Sequence, residues 1–295
     1  MQKEYDSRTR RIFLFPSTYL LLVLTLFPIC FSLAITFTNY RLLSDNTLEF
    51  SLNNWVQLFS DKNFRIVLKN TAVFVFLGVI FQFTLGFGIA QLLNSKILFL
   101  KFFRITFLLP MMMSPVAVSY IVGKMLFSET FGPINDLLSF FGLPLFNWSL
   151  SPIKSMLLLI IIDTWQWTPF FILILLAGLQ SIPEELFEAA KIDGASNFRI
   201  FCHITFPLLL PISSTVIFIR IIESFKVIDI VRIVTGGGPG NTTETVTLFA
   251  YDIGLKGGDI SYASTIAYSL LFLVIIFSII YFSIEKQFKI ISGNA

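Results

Sequence analysis

Hydrophobic positions in this chain come in long runs, not in the short alternation of a half-buried surface. Six runs stand out, at 13–37, 70–93, 105–127, 155–178, 206–227 and 263–284. A helix needs roughly 20 apolar residues to cross a hydrocarbon core of ~30 Å, so each run has the length of a membrane span. No water is present at that depth to satisfy exposed backbone groups, so the runs predict helices. Four polar stretches between them have features of their own. The stretch 38–69 contains Asn53-Asn54-Trp55 and predicts a short interfacial helix ending at Phe64. In 128–154, Phe131-Gly132-Pro133 and Gly142-Leu143-Pro144 bracket a short helix near 134–141. Pro183–Pro207 reads as helix-turn-helix, and Thr235-Gly236-Gly237-Gly238-Pro239-Gly240 breaks the helix before it.

Composition agrees with the pattern. Hydrophobic residues make up 55% of the chain, charged residues only 13%, and phenylalanine occurs 35 times in 295 residues. A soluble domain of this size has too little interior for that much apolar surface. The expectation is one all-α membrane protein with six transmembrane helices and no soluble module. The basic N-terminus leads into an apolar run too long for a cleavable signal, so the first run is read as a retained span.

Lysine and arginine orient the spans. With both termini inside, the cytoplasmic pieces 1–12, 94–104, 179–205 and 285–295 carry Lys3, Arg8, Arg10, Arg11, Lys96, Lys101, Arg104, Lys191, Arg199, Lys286 and Lys289. The longer outer pieces carry Arg41, Lys62, Arg65, Lys69, Lys154, Arg232 and Lys256. The bias predicts a multi-pass protein of the cytoplasmic (inner) membrane with both termini in the cytoplasm. The net charge of +3 is then a topology signal, and no nucleic acid partner is expected.

Several chemistries are excluded by what the chain lacks. The glycine run at 236–240 is followed by Asn241 and Thr242 instead of the Lys and Ser/Thr of a nucleotide-binding loop. His203 is the only histidine, so neither a metal site nor a nucleophile–histidine pair is available. Asp163 is the only aspartate inside a predicted span, which excludes a paired-aspartate hydrolase. The two cysteines, Cys30 and Cys202, are not expected to form a disulfide.

Ionisable residues in spans are costly and mark sites. They are Lys124, Asp163, Arg220, Glu223 and Lys226. Arg220, Glu223 and Lys226 share roughly one helix face. They read either as a local Arg220–Glu223 pair with a snorkelling Lys226, or as the wall of a polar path. Asp163-Thr164-Trp165-Gln166-Trp167 mixes a carboxylate, an amide and two indoles. That set suits a sugar-like solute, and equally an interfacial tryptophan belt.

The segment after Pro183 carries Glu184, Glu185, Glu188 and Asp193 around its first helix, an acidic docking surface. Glu188-Ala189-Ala190, three residues, Gly194, nine residues, Ile204, one residue, Phe206-Pro207 resembles the signature loop of ABC-importer permeases. Arg220 through Asp229, Thr235 through Pro239, Thr243-Glu244-Thr245 and Tyr262-Ala263-Ser264 resemble the carbohydrate branch, the maltose-type F-like permeases. The resemblance runs from about 70 to 285 and is weakest before it.

This resemblance implies a type I ABC importer permease fold and a non-catalytic transport subunit. Residues 1–69 would be the tail, first span and outer loop, 70–285 the permease core with its coupling loop at 179–205, and 286–295 a cytoplasmic tail. Glu184, Glu185, Glu188, Ala189, Ala190, Asp193 and Gly194 would dock on a dimer of cytoplasmic ATPases, which bind the ATP and Mg. No cofactor or metal is expected on this chain. A second, non-identical permease would complete the path, and an extracytoplasmic solute-binding protein would face Thr235, Gly236, Gly237, Gly238 and Pro239. Solute contacts would fall on Asp163, Gln166, Trp167 and Phe170, and on Arg220, Glu223 and Ser224. The identities at these positions depart from the maltose-type pattern, so they imply a place but no particular solute. A sugar or polyol is the first expectation, and a phosphorylated polyol such as glycerol phosphate the alternative. A secondary transporter or channel is the distant alternative, since no inverted repeat is evident.

Overall fold

The computed structural model describes residues 2–42, 49–95 and 100–291, with side chains for 13–42, 49–95 and 101–286. The side chains of Lys3, Arg8, Arg10, Arg11, Lys96 and Lys289, and the tail beyond 291, lie outside those ranges. Among the described residues the regular secondary structure is helical, apart from one isolated bridge between Thr38 and Phe50. The helices are α1 Gln2–Ile35, α2 Asn53–Ser60, α3 Lys62–Asn94, α4 Leu100–Met112, α5 Pro115–Val118, α6 Pro133–Phe140, α7 Pro152–Gln180, α8 Glu184–Ile192, α9 Asn197–Ile200, α10 Phe206–Phe225, α11 Asp229–Val234, α12 Val246–Tyr251 and α13 Ile260–Ile291. Three wider π-helical stretches follow α5, α9 and α12, at Ser119–Leu126, Phe201–Thr205 and Asp252–Lys256.

Five helices are long and apolar enough to cross a membrane: Phe13–Ile35, Lys62–Asn94, Pro152–Gln180, Asn197–Phe225 and Ile260–Lys286. The run at 105–127 is not the straight span expected from its hydropathy. It forms two limbs, Lys101–Met112 and Pro115–Leu126, bent by 97°. Together they make the sixth span if the pair crosses as one. The cause is local. Pro115 has no N–H and pushes the residue before it out of the helical region. Ser114 accordingly sits at φ −65°, ψ 145°, and its Oγ accepts a hydrogen bond from the Ala117 amide at 3.2 Å, capping a new helix.

The expected loop at 179–205 is also shorter than its sequence suggests. Its second helix, α9, continues through the π-helical turn into α10. Pro207 cannot donate into the ladder, and widening the preceding turn is how a helix passes such a position. The helix expected to end at Phe64 ends at Ser60 instead. Asp61 leaves the helical region, and its Oδ1 accepts from the Asn63 amide at 2.8 Å, so Phe64 falls in the first turn of α3.

The chain divides into two compact units. One comprises Met1–Phe64 and Phe249–Leu273. In it Ser261 ties the chain after α1 to α13: its Oγ lies 3.0 Å from Thr38 Oγ1 and accepts from the Tyr40 amide at 2.8 Å. Tyr262 Oη donates to Asp61 at 2.6 Å, and Tyr268 Oη donates to the Ile29 carbonyl. The apolar window of α1 has no buried residue, as a lipid-facing helix requires.

The other unit comprises Arg65–Leu248 and Val274–Ala295. Its centre is α7, with 61% of its apolar window buried. Helices α4 and α10 pack on it. Small residues set these approaches. A Cβ on Gly86 of α3 would lie 2.5 Å from Phe171 Cβ on α7, and one on Gly178 of α7 would lie 2.9 Å from both Leu209 and Ile212 of α10. At Gly88 nothing lies within 4 Å of a Cβ. Gly86→Ala is therefore expected to cost about 1–3 kcal/mol by overpacking and to lower the unfolding temperature in detergent. Gly88→Ala, on the same helix, is expected to leave it unchanged.

Candidate functional site

Three helices of the larger unit each send one polar side chain into the apolar interior. Gln82 comes from α3, Asp163 from α7 and Arg220 from α10, and all three are at most 2% exposed. They close a ring. Arg220 Nη2 donates to Asp163 Oδ2 at 2.6 Å, Arg220 Nε to Gln82 Oε1 at 2.8 Å, and Gln82 Nε2 to Asp163 Oδ2 at 2.7 Å. An amide is the residue type this ring needs, because it offers a carbonyl to the cation and an N–H to the anion. The guanidinium carbon also lies 4.5 Å from the centre of the Trp167 ring, a cation–π contact.

This geometry rules out one of the two readings left open for Arg220. It does not pair with Glu223. A buried cation is best answered by an equally buried carboxylate, and Asp163 is the one within reach. Glu223 bonds instead with Lys226 at 2.8 Å, where both side chains are roughly half exposed. Gln82 was missed at the sequence level. Its signal was an amide deep inside an apolar run, with no sign of which helix it would meet.

Asp163, Gln166, Trp167, Arg220 and Glu223 line one cleft of about 180 Å3, with Pro115 also in its wall. Five of the seven expected solute-path residues thus converge. The other two stand behind them. Phe170 meets the Trp167 ring edge-on at 6.3 Å, and Ser224 is buried. Gln166 Nε2 donates to the Met113 carbonyl at 3.2 Å, satisfying a backbone group at the α4–α5 bend. Gln166 Oε1 and Ser224 Oγ are buried without a hydrogen-bond partner. A larger groove of about 570 Å3 has walls dominated by chains such as Phe81, Leu85, Phe107 and Ile161, which give a polar solute little to bond.

The helix-turn-helix read from the sequence is present. No side chain of α8 is buried, while Ile182 before it and Ile200 after it are. Leu186, Ile192 and Phe198 are exposed among the carboxylates. Glu184 and Glu185 occupy the first turn and Lys191 the last, matching the helix dipole at both ends. The exit is a Schellman turn: Ala195 N donates to Ala190 O at 2.9 Å and Gly194 N to Lys191 O at 3.0 Å, with Gly194 at φ +76°. Nothing lies within 4 Å of a Cβ there, so glycine is required by conformation and not by space. Ser196 Oγ then accepts from the Arg199 amide at 3.3 Å and starts α9. His203 Nδ1 lies 3.0 Å from the Arg199 carbonyl, so the single histidine serves the loop's own backbone.

The Thr235–Pro239 stretch folds back on itself. Gly236 and Gly237 have φ of +61° and +90°. Thr243 Oγ1 donates to Gly238 O at 2.7 Å and lies 2.8 Å from Thr235 Oγ1. Asn70 of α3 pins the far side, donating to the Asn241 carbonyl at 2.7 Å. Gly236 and Gly240 remain exposed at the tip, while Gly237 is buried against Glu244.

Residues 82–289 match the family model described as binding-protein-dependent transport system inner membrane component. The chain belongs to this family. It is a membrane-embedded transport subunit and not an enzyme, and the matched region contains the buried ring, the cleft, α8 and the glycine loop. The trehalose/maltose transport system permease protein MalF of Thermococcus litoralis is 35% identical, over 80% of this chain and 79% of its own. The lactose transport system permease protein LacF of Rhizobium radiobacter is 32% identical, over 97% of both chains. In structure, a chain of a bacterial alginate ABC transporter, solved with an alginate pentasaccharide-bound periplasmic protein, superposes with a TM-score of 0.83 at 21% identity, over 96% of this chain and 97% of that one. The shared fold is that of a type I ABC importer permease.

Removing one member of the buried ring leaves the others unpaired. Arg220→Ala is expected to destabilise this permease by about 3–5 kcal/mol. The double variant Asp163→Leu/Arg220→Met is expected to recover most of that loss, since no charge is left uncompensated. Thermal unfolding of the single and double variants in detergent reads the difference.

Proposed function

We propose that this chain is one of two permease subunits of a sugar ABC importer. Its exposed α8 couples the helix bundle to a dimer of cytoplasmic ATPases that bind ATP and Mg. The observation that carries the reading is α8 itself. None of its side chains is buried, it is capped at its exit and acidic at its start, and three residues join it to α7 and four to the α9–α10 helix. A push on such a helix is transmitted to the two helices that line the cleft, and rocks the bundle between inward- and outward-facing states. An extracytoplasmic binding protein delivers the solute on the side of the Thr235–Pro239 loop, and both termini of the chain lie in the cytoplasm. Thr235, Gly236, Gly237, Gly238 and Pro239 are the positions that would meet the binding protein.

A neutral sugar suits the cleft better than a phosphorylated polyol. Arg220 is neutralised by Asp163, Lys226 by Glu223, and Asp229 adds a further carboxylate to the lining. Two cations stand against three carboxylates, a field that repels a phosphate. The ring of Trp167 and the unpartnered Gln166 Oε1, both from residues of the lining, supply an apolar face and a hydrogen-bonding group, the mixture a sugar ring requires. The names of the relatives, which include permeases for trehalose/maltose and lactose, support the same class.

Glu188→Lys and Gly194→Val are expected to abolish uptake of radiolabelled sugar while leaving the protein in the membrane at normal levels. Normal uptake by both variants would remove α8 from the coupling path. Trp167→Ala is expected to change the ranking of sugars transported, with basal ATP hydrolysis by the assembled importer retained. An unchanged ranking would remove Trp167 from the solute path.

A further inference from the structure

The segment joining the bent helix pair to α7 carries side chains that fit neither a protein core nor water. Phe140 is 83% exposed, Leu150 91% and Ile153 81%, and Phe131, Leu137 and Phe141 are exposed beside them. Between Thr130 and Ile153 the only charged residue is Asp136. On α6 these positions are sorted by helical spacing. Leu137, Phe140 and Phe141 share one outward face, Asp136 and Ser139 lie to its side, and Asn135 turns inward and is buried.

Most of the less exposed polar groups of the segment are used internally, while Asp136, Ser139 and Asn147 are exposed. Asn135 Oδ1 accepts from the Phe146 amide at 2.8 Å, and Trp148 Nε1 donates to the Phe127 carbonyl at 2.8 Å. Glu129 accepts from both the amide and the hydroxyl of Ser149, each at 2.7 Å, and Ser155 Oγ donates to the Trp148 carbonyl at 2.6 Å. In this stretch, Asn135 Nδ2 is the one side-chain polar atom buried without a partner among the described residues. Internal pairing of the buried groups, with the remaining polar side chains exposed, is what a segment needs if it lies at the boundary between water and lipid.

We infer that Phe131–Ile153 is an interfacial platform whose partner is the lipid bilayer. The apolar face of α6 lies among the upper acyl carbons at the end of the spans. The occupant follows from continuity. The platform lies between Leu126, the end of a bent pair that is membrane-length only when taken together, and Pro152, the start of a membrane-length helix, so both of its ends adjoin the bilayer surface. Ile153 carries the exposed apolar face onto the first turn of α7. A docking surface for a soluble protein would present a polar rim around such a patch, and this one has a single carboxylate. Lys124, 5.6 Å from the centre of the Trp148 ring, and the exposed Lys154 stand at the two ends, where ammonium groups meet lipid headgroups. The platform would brace the 97° bend, and with it Pro115 at the edge of the cleft.

The test uses the full chain in the assembled importer, reconstituted in phosphatidylcholine–phosphatidylglycerol vesicles, with Cys30→Ser and Cys202→Ser removing the native thiols. Bimane is attached through Phe140→Cys or Leu150→Cys, and through Asp136→Cys as the polar-side reference. The expected result is strong quenching at 140 and 150 by lipids carrying a nitroxide near the headgroup, with iodide quenching there several-fold weaker than at 136. Equal iodide quenching at all three positions, with no effect of the nitroxide lipid, would overturn the inference. Shielding at 140 or 150 that depends on added solute-binding protein and not on lipid would overturn it too, by assigning the face to protein docking.

Discussion

The bond between Arg220 and Asp163 ties α10 to α7 in the least polar part of the molecule, and the arrangement of the bundle depends on it. Charges at that depth are tolerated only when each is answered, and here each is answered twice, by the other and by Gln82 of α3. Three helices are thereby registered against one another by directional bonds, in an environment where apolar packing alone distinguishes poorly between sliding positions. The same guanidinium covers the ring of Trp167. The network that orders the helices therefore also orients the largest aromatic wall of the cleft.

The ring sits at the edge of the cleft and not in an open channel. Its charges are paired within the protein, Arg220 with Asp163, while Glu223 and Lys226 pair with each other on the cleft lining beside Asp229. The buried ion pair ties α7 to α10, and the exposed pair stands apart from it. The bend at Ser114–Pro115 reaches the same cleft, because its freed Met113 carbonyl fixes Gln166 and its proline is part of the lining.

Outside the bundle, backbone chemistry shapes the two loops. Gly194 turns the chain at α8 through a Schellman motif, and the positive φ angles at Gly236 and Gly237 fold the Thr235–Pro239 stretch onto Thr243. In both cases a local requirement places exposed residues at a defined position. Both loops were legible in the sequence for that reason. Glycine spacing, caps and helix-compatible acidic residues act over a few positions and need no knowledge of the fold.

The sequence by itself determined the class of the protein, the number of apolar runs, the helix-turn-helix after Pro183 and the neighbourhoods of the cleft residues. These follow from hydropathy, proline and glycine chemistry, and spacing, which are properties of short stretches. Tertiary structure alone decided who answers whom. Arg220 had Glu223 one turn away and took Asp163, which lies 57 residues earlier on another helix. Gln82 entered the site from the run at 70–93, where no site residue was expected. The run at 105–127 had the hydropathy of one span and became two limbs once Ser114 found a capping role. In each case the outcome turned on burial. A polar group in an apolar interior takes the partner that leaves nothing unsatisfied, and which partner that is depends on how the helices meet.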